Sequence, residues 1–327
     1  MMVERILVSL TALLPNHTGC NAMNARKMIL PTVALLLVIL IPDLAAAKVK
    51  VVATLGDLAA AAEEVGGEDV DVKLLARPQE DPHYVDAKPS FVREVAQADL
   101  VVLNGMSLEI GWLPMLVKNS RNPDIQRGEP GHFDASTFIE RKEVPKQQID
   151  RSMGDVHPEG NPHYTYEPRQ MARVAIALGK RLGQIDPANK AAYQKRARKF
   201  ARECLQTYKH WQEKFAELPA ERREVVVYHE AWIYVLDWLD LERVATVEPK
   251  PGVEPNPRHV VEVIKTIERD EIPVILKMEY YPATTVERIA DKTGAKVVSS
   301  QGQTRLGKSY IDRINALASA IYKALDK

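Results

Sequence analysis

The chain has 327 residues, and 44 lysines and arginines balance 44 aspartates and glutamates, so its formal net charge is zero. That balance excludes a partner held mainly by phosphate neutralisation, whether a nucleic acid or an anionic membrane surface. The length exceeds one compact domain, and 46% hydrophobic with 27% charged residues shows no sign of disorder or a coiled coil.

Residues 1–47 read as a leader. Arg26 and Lys27 precede an apolar run from Met28 to Ile41, and the small residues Ala45, Ala46 and Ala47 follow. This is the layout of an export signal cleaved near Ala47. The run is short for a membrane anchor, and Pro31 and Pro42 sit inside its ends. Residues 1–22 look superfluous, with Met23 or Met28 as the working start. Lipid attachment at Cys20 competes with that reading, but His17 occupies a position where a lipid-attachment motif wants an aliphatic residue. Cleavage would leave Cys204 alone, so neither an intrachain disulfide nor a cysteine-based zinc site is expected. Any metal site must use histidines and carboxylates.

The mature chain opens with the β-branched run KVKVVATL (48–55), then a helix DLAAAAEEVGG ended by Gly66 and Gly67. DVDVKLLA (69–76) alternates as a second strand, PSFVREVAQA is a short helix, and DLVVLNG (99–105) is a buried-type strand. LEIGWLPMLVKNS, from Leu108 to Ser120, reads as a further helix. From Pro168 to about Leu218 there is no strand signal. Met171, Val174, Ala175, Leu178 and Leu182 fall at helical spacing, as do Tyr193, Ala197, Phe200, Leu205, Tyr208, Trp211 and Phe215, with a break at Asp186-Pro187. Strand–helix alternation then resumes to the C-terminus. The organisation is α/β: an N-terminal lobe over 48–167, a helical connector over 168–218 and a C-terminal lobe over 219–327, each lobe with a parallel sheet. A ligand would sit at the carboxyl ends of the strands, in the cleft between the lobes.

Eight histidines occur. His17 lies in the leader, His210 in the helical middle, His259 in a helix turn after Pro257, and His132 in a Gly/Pro-rich loop without an evident partner. His83, His163 and His229 each end a strand or lie in the loop after one, and Glu279 ends VILKM in the same way. Spacing alone leaves two readings open: a converging set, or unrelated polar loop residues. A converging set of three imidazoles and one carboxylate would suit tetrahedral zinc, whereas manganese prefers more oxygen ligands. Pro82 and Pro162 stiffen the chain beside two of the rings.

At this point the sequence resembles the periplasmic zinc/manganese solute-binding receptors of ABC transporters. The resemblance spans about residues 48–327 and rests on VVATLGDLA, DPHYVDAKPS, ADLVVLNGMSLEIGWLPMLVKNS, GNPHYTYEP, YHEAWIYVLDWLDL, GVEPNPRHVVEVIKTIE and MEYYPATTVERIADKTGAKVV in that order. It implies two α/β lobes joined by one long rigid helix, with the metal in the interlobe cleft. It implies His83, His163 and His229 as ligands, with Glu279 or a water as the fourth, because Ala283 stands where manganese-type members carry an aspartate. Histidine at 229 favours Zn2+ over Mn2+. The implied partner is a membrane permease, the implied location the periplasm, and the implied state a monomer. The long metal-rich loop of many zinc receptors is reduced here to His132, His157 and scattered acids, and His157 remains a candidate auxiliary ligand.

The alternatives are a manganese receptor of the same family, a zinc hydrolase and a surface adhesin. A hydrolase needs an open metal position and a base. Glu230 follows His229, but Ile233 stands where an HExxH motif requires the second histidine, and neither a nucleophile elbow nor a Walker A loop is present. The expectation is therefore a receptor and not an enzyme.

Overall fold

The computed structural model describes residues 47–147, 149 and 153–326. The expected export signal, with His17 and Cys20, lies outside the described residues. Val49–Ala53 (β1), Val70–Leu74 (β2), Leu100–Leu103 (β3) and His132–Asp134 (β4) form one parallel sheet in the order β2-β1-β3-β4. Glu224–Val227 (β5), Glu242–Thr246 (β6), Val274–Met278 (β7) and Lys296–Ser300 (β8) form a second parallel sheet in the order β6-β5-β7-β8. The valine-rich central strands are buried along most of their length, as a sheet covered on both faces requires.

Helices Gly56–Gly66 (α1), Pro89–Ala96 (α2) and Leu113–Ser120 (α3) accompany the first sheet. Ile233–Leu239 (α6), Pro257–Arg269 (α7), Thr284–Thr293 (α8) and Tyr310–Leu325 (α9) accompany the second. Between them lie Pro168–Ile185 (α4) and the 27-residue Lys190–Ala216 (α5). At 1.5 Å per residue, α5 is about 40 Å long. Near its start Arg196 donates to the Val65 and Gly66 carbonyls at the end of α1. Near its finish Trp211 donates to Asn315 of α9, and the Tyr208 carbonyl accepts from Trp238 of α6. One helix therefore braces both lobes.

A buried ion pair joins the lobes a second time. Asp57, in the first turn of α1, is fully buried and accepts from the Arg313 guanidinium of α9 at 2.7 Å. Its other oxygen accepts from the Thr304 backbone N–H and hydroxyl. Gly56 allows this approach, since a β-carbon there would lie 1.9 Å from the Thr304 carbonyl oxygen.

Four local expectations need correction. The third helix starts at Leu113, not Leu108, because residues 106–112 form turns and the chain between Gly105 and Arg121 becomes helical only at Pro114's turn. β4 was not expected: three residues are too few to display alternation, and pairing with β3 supplies their order. His132 in β4 does have a partner, the Ile125 carbonyl 3.2 Å from Nδ1. Leu205 is 48% exposed, and Cys204 and Thr207 instead continue the buried stripe of α5.

Removing one member of the Asp57–Arg313 pair leaves a buried charge uncompensated. Arg313→Met is expected to lower the unfolding free energy in urea by about 3–5 kcal/mol, and Asp57→Asn combined with Arg313→Met should recover part of it. A double variant no more stable than the single one would mean that the charge pairing is not what joins the lobes here.

Candidate metal centre

Asp81-Pro82-His83 and Asn161-Pro162-His163 are built to one plan. Asp81 Oδ1 accepts from the His83 backbone N–H at 3.0 Å and lies 2.7 Å from its ring Nδ1. Asn161 Oδ1 accepts from the His163 backbone N–H at 3.1 Å and lies 2.9 Å from its Nδ1. In each case a short side chain bonds to the backbone two residues on, and the intervening proline fixes φ so that the same oxygen also meets the ring. His229, two residues past β5, is held differently. Its Nδ1 lies 2.7 Å from Glu248 Oε2, two residues past the adjacent β6, and that oxygen also accepts from Gly252 N–H at 3.0 Å.

Each Nδ1 faces an oxygen acceptor and carries the proton, which leaves the lone pair of the neutral ring on Nε2. The three rings converge. Their centroids lie 5.4 Å apart for His83–His163, 5.9 Å for His83–His229 and 5.6 Å for His163–His229. One ligating atom from each lies within 4.8 Å of the others. His163 and His229 are buried, and the His83 side chain is only 7% exposed. His163 Nε2 is buried without any hydrogen-bond partner in the protein, an arrangement that native interiors avoid unless something else fills it. Burial, and then the neighbouring His83, His229 and His157 rings, push the His163 pKa well below the ordinary imidazole value. Burial pushes the Asp81 carboxyl up, but its bonds with His83 outweigh this and leave it below the usual aspartate value.

A fourth imidazole stands beside the three. His157 Nε2 is 3.1 Å from His83 Nε2, and burial first, then the His83 ring, lowers its pKa to about 4. The segment bearing it is fastened across the cleft. Asp155 N–H donates to the Pro251 carbonyl at 2.9 Å, and the Tyr84 hydroxyl donates to the Asp155 carboxylate. His157, His163, His229, Asn161, Glu230 and Pro251 are among the walls of a cavity of 220 Å³.

The structure does not bring Glu279 to this cluster. It is exposed just past β7, with its N–H donating to the Ser300 carbonyl, and the ring nearest His229 from this turn is Tyr281, 5.5 Å away between centroids. Asn256 caps its helix by accepting from the His259 backbone N–H, the His259 ring Nε2 meets the Thr246 carbonyl, and His210 is exposed against Trp211. The reading by strand ends missed Asp81, Asn161 and Glu248. The repeated [DN]-P-H pattern carried a signal for the first two; nothing near Glu248 in sequence did.

Comparison with known proteins bears on this geometry directly. A family model described as ZnuA, zinc-uptake complex component A, periplasmic, matches residues 51–324. The chain belongs to this family. The family comprises metal-binding receptors of ABC transporters, which work with a membrane permease. Among relatives, the metal ABC transporter substrate-binding lipoprotein SloC of Streptococcus mutans is 24% identical over 274 residues, 80% of this chain and 85% of SloC. The manganese ABC transporter substrate-binding lipoprotein PsaA of Streptococcus anginosus is 24% identical over 229 residues, 69% of this chain and 71% of PsaA. A crystal structure of ZnuA superposes with a TM-score of 0.72 at 21% identity, covering 85% of this chain and 99% of that one, a likeness of fold.

The depressed His163 pKa links this site to stability. Unfolded, the residue takes up a proton below about pH 6.5, whereas the buried ring refuses it, so the metal-free protein should lose stability as pH falls from 6.5, by at most about 1.4 kcal/mol per pH unit for this residue. His163→Gln should flatten that fall between pH 7 and pH 5 in thermal unfolding. An unchanged slope would assign the titration to other groups.

Proposed function

We propose that the protein captures Zn2+ outside the cytoplasm and delivers it to the permease of an ABC importer, with His83, His163 and His229 as ligands. The observation that carries this reading is the convergence of three Nε2 lone pairs whose Nδ1 protons are each held by an oxygen. With Zn–N bonds of about 2.0–2.1 Å, a tetrahedral shell has N···N edges of about 3.4 Å. The His83–His157 contact of 3.1 Å is close to one such edge; His157 lies outside the three residues whose ligating atoms already converge within 4.8 Å, and it is proposed as the donor that moves in to complete the shell in place of Glu279 or water.

A nitrogen-only shell favours zinc over manganese, which prefers oxygen. The ion's two positive charges are balanced one bond further out by Asp81 and Glu248, each acting through an imidazole. With His157 moved in, four protein donors would leave no open position for an activated water, which favours transport over hydrolysis.

Competition calorimetry tests the assignment. Zn2+ should bind far more tightly than Mn2+, and alanine at 83, 163 or 229 should abolish tight binding. Asp81→Ala and Glu248→Ala should each weaken Zn2+ by about 10–100-fold. Glu279→Ala should leave affinity unchanged. Mn2+ affinity equal to that for Zn2+, or a loss in Glu279→Ala matching that in His163→Ala, would overturn the reading.

A further inference from the structure

We infer that Glu109 is a positioning residue for the metal site, setting the separation of His83 and His163 without touching either; this rests on the proposed imidazole site. Glu109 is 3% exposed and bears its carboxylate against three donors. Oε1 accepts from the Thr54 hydroxyl and the Asn104 backbone N–H, both at 2.6 Å, and Oε2 accepts from Gly105 N–H at 3.1 Å. Two successive backbone N–H groups thus turn toward one carboxylate, a small anion nest filled from within the chain. Its own carbonyl accepts from Trp112 and Leu113 N–H, which ties the same residue to the start of α3.

What this carboxylate holds is a costly piece of backbone. Gly105, Met106 and Ser107 all take positive φ, at 81°, 53° and 59°. For Met106 and Ser107 that conformation is disfavoured and persists only where surrounding bonds impose it. Burial lifts the Glu109 pKa to about 7 despite its three donors.

From this turn, bonds lead out to both metal-bearing loops. Asn104 Nδ2 donates to the Pro162 carbonyl at 3.0 Å, and the Asn104 carbonyl accepts from the Tyr164 hydroxyl at 2.8 Å, bracketing His163 from both sides. The Ser107 hydroxyl donates to Glu159 at 3.0 Å, in the segment that bears His157. Trp112 Nε1 donates to the Pro82 carbonyl at 3.0 Å, directly before His83. The peptide preceding each of these two imidazoles therefore hangs from one template, residues 104–112, and Glu109 fixes the shape of that template.

The test is Glu109→Gln, whose amide has one acceptor oxygen for three donors and turns an N–H₂ toward another donor. Zn2+ affinity should fall about 10–100-fold, the loss typical of disturbed support around a metal ligand. The visible absorption of the Co2+-loaded protein should shift or lose intensity, reporting altered coordination. Tyr193→Phe is the control: it removes the hydroxyl's bond to Asp186 in the helical connector, 2.8 Å long, and should leave the Co2+ spectrum unchanged. Asn104→Ala keeps the backbone bonds to Glu109 but cuts the link to Pro162, so it should reproduce the spectral change even where Glu109→Gln fails to fold. Wild-type spectra in both Glu109→Gln and Asn104→Ala, or in Asn104→Ala alone where the first does not fold, would overturn the inference. His163→Ala measured alongside separates the two readings. Wild-type affinity there sinks the metal site itself, whereas loss there with unchanged Asn104→Ala and Glu109→Gln sinks only the positioning role.

Discussion

The site depends on three oxygen atoms that each hold an imidazole by its Nδ1 proton. A histidine on a loop has two tautomers and a rotatable ring, and an ion binding it must select one state of each. Here Asp81, Asn161 and Glu248 have made that selection beforehand, so little ordering remains to be done on binding. The arrangement carries its own cost. Three neutral lone pairs are aimed at one buried point, and His163 Nε2 has no partner there, a burden of about 1–3 kcal/mol for a single orphaned polar group. The rest of the fold has to absorb that cost, and a suitable ion removes it.

Two parallel sheets explain how the rings reach one point. The loops after β1, β2 and β3, the segment after β4 that carries His163, and the loops after β5 and β6 leave from carboxyl edges, and the chemistry collects there. Asn161 then bonds across the cleft: its Nδ2 donates to the Glu230 carbonyl at 2.6 Å while its Oδ1 holds His163. The ring from the N-terminal half is thereby set against the chain that follows His229. With α5 bracing both lobes and Asp57 paired to Arg313 between them, wide separation of the lobes would break polar contacts, including a buried ion pair. The 153–160 segment is tied across the cleft by Asp155 to Pro251 and to the first lobe by Ser107 to Glu159.

Much of this was legible in the chain. Valine runs and helix stop signals located seven of the eight strands to within four residues at each end, and the break at Asp186-Pro187 separated the two connector helices. His163 was placed by its Asn-Pro turn between the first lobe and the connector, whereas strand ends located His83 and His229 because the height of a residue along a strand follows from the run that precedes it. Its direction does not follow, and so Glu279 looked equivalent to His229 while standing in solvent. Leu205 misled because it is apolar, but it follows Phe200 by five residues, about 140° round the helix, and Cys204 and Thr207 keep the three-to-four spacing and take the inward places. Glu248 and Glu109 had no local signal at all. The first matters because β6 pairs with β5, and the second because a turn 50 residues before His163 folds against it.

The placement of the carboxylates also bears on which ion the site would prefer. Asp81 and Glu248 stand behind the rings with their oxygens engaged by ring Nδ1 protons, so their charge acts without their atoms coordinating. Swinging Asp81 inward would give the oxygen-rich shell that manganese prefers, but it would free the His83 tautomer and the backbone N–H that the same oxygen holds. The amide at 161 completes the logic. An aspartate there would accept from His163 equally well, but it would raise the carboxylates behind the rings from two to three against a divalent ion. It would also lose the N–H₂ that reaches the Glu230 carbonyl. One asparagine thus keeps the charge matched and the cleft bridged, and the two similar tripeptides differ at the single position where their surroundings differ.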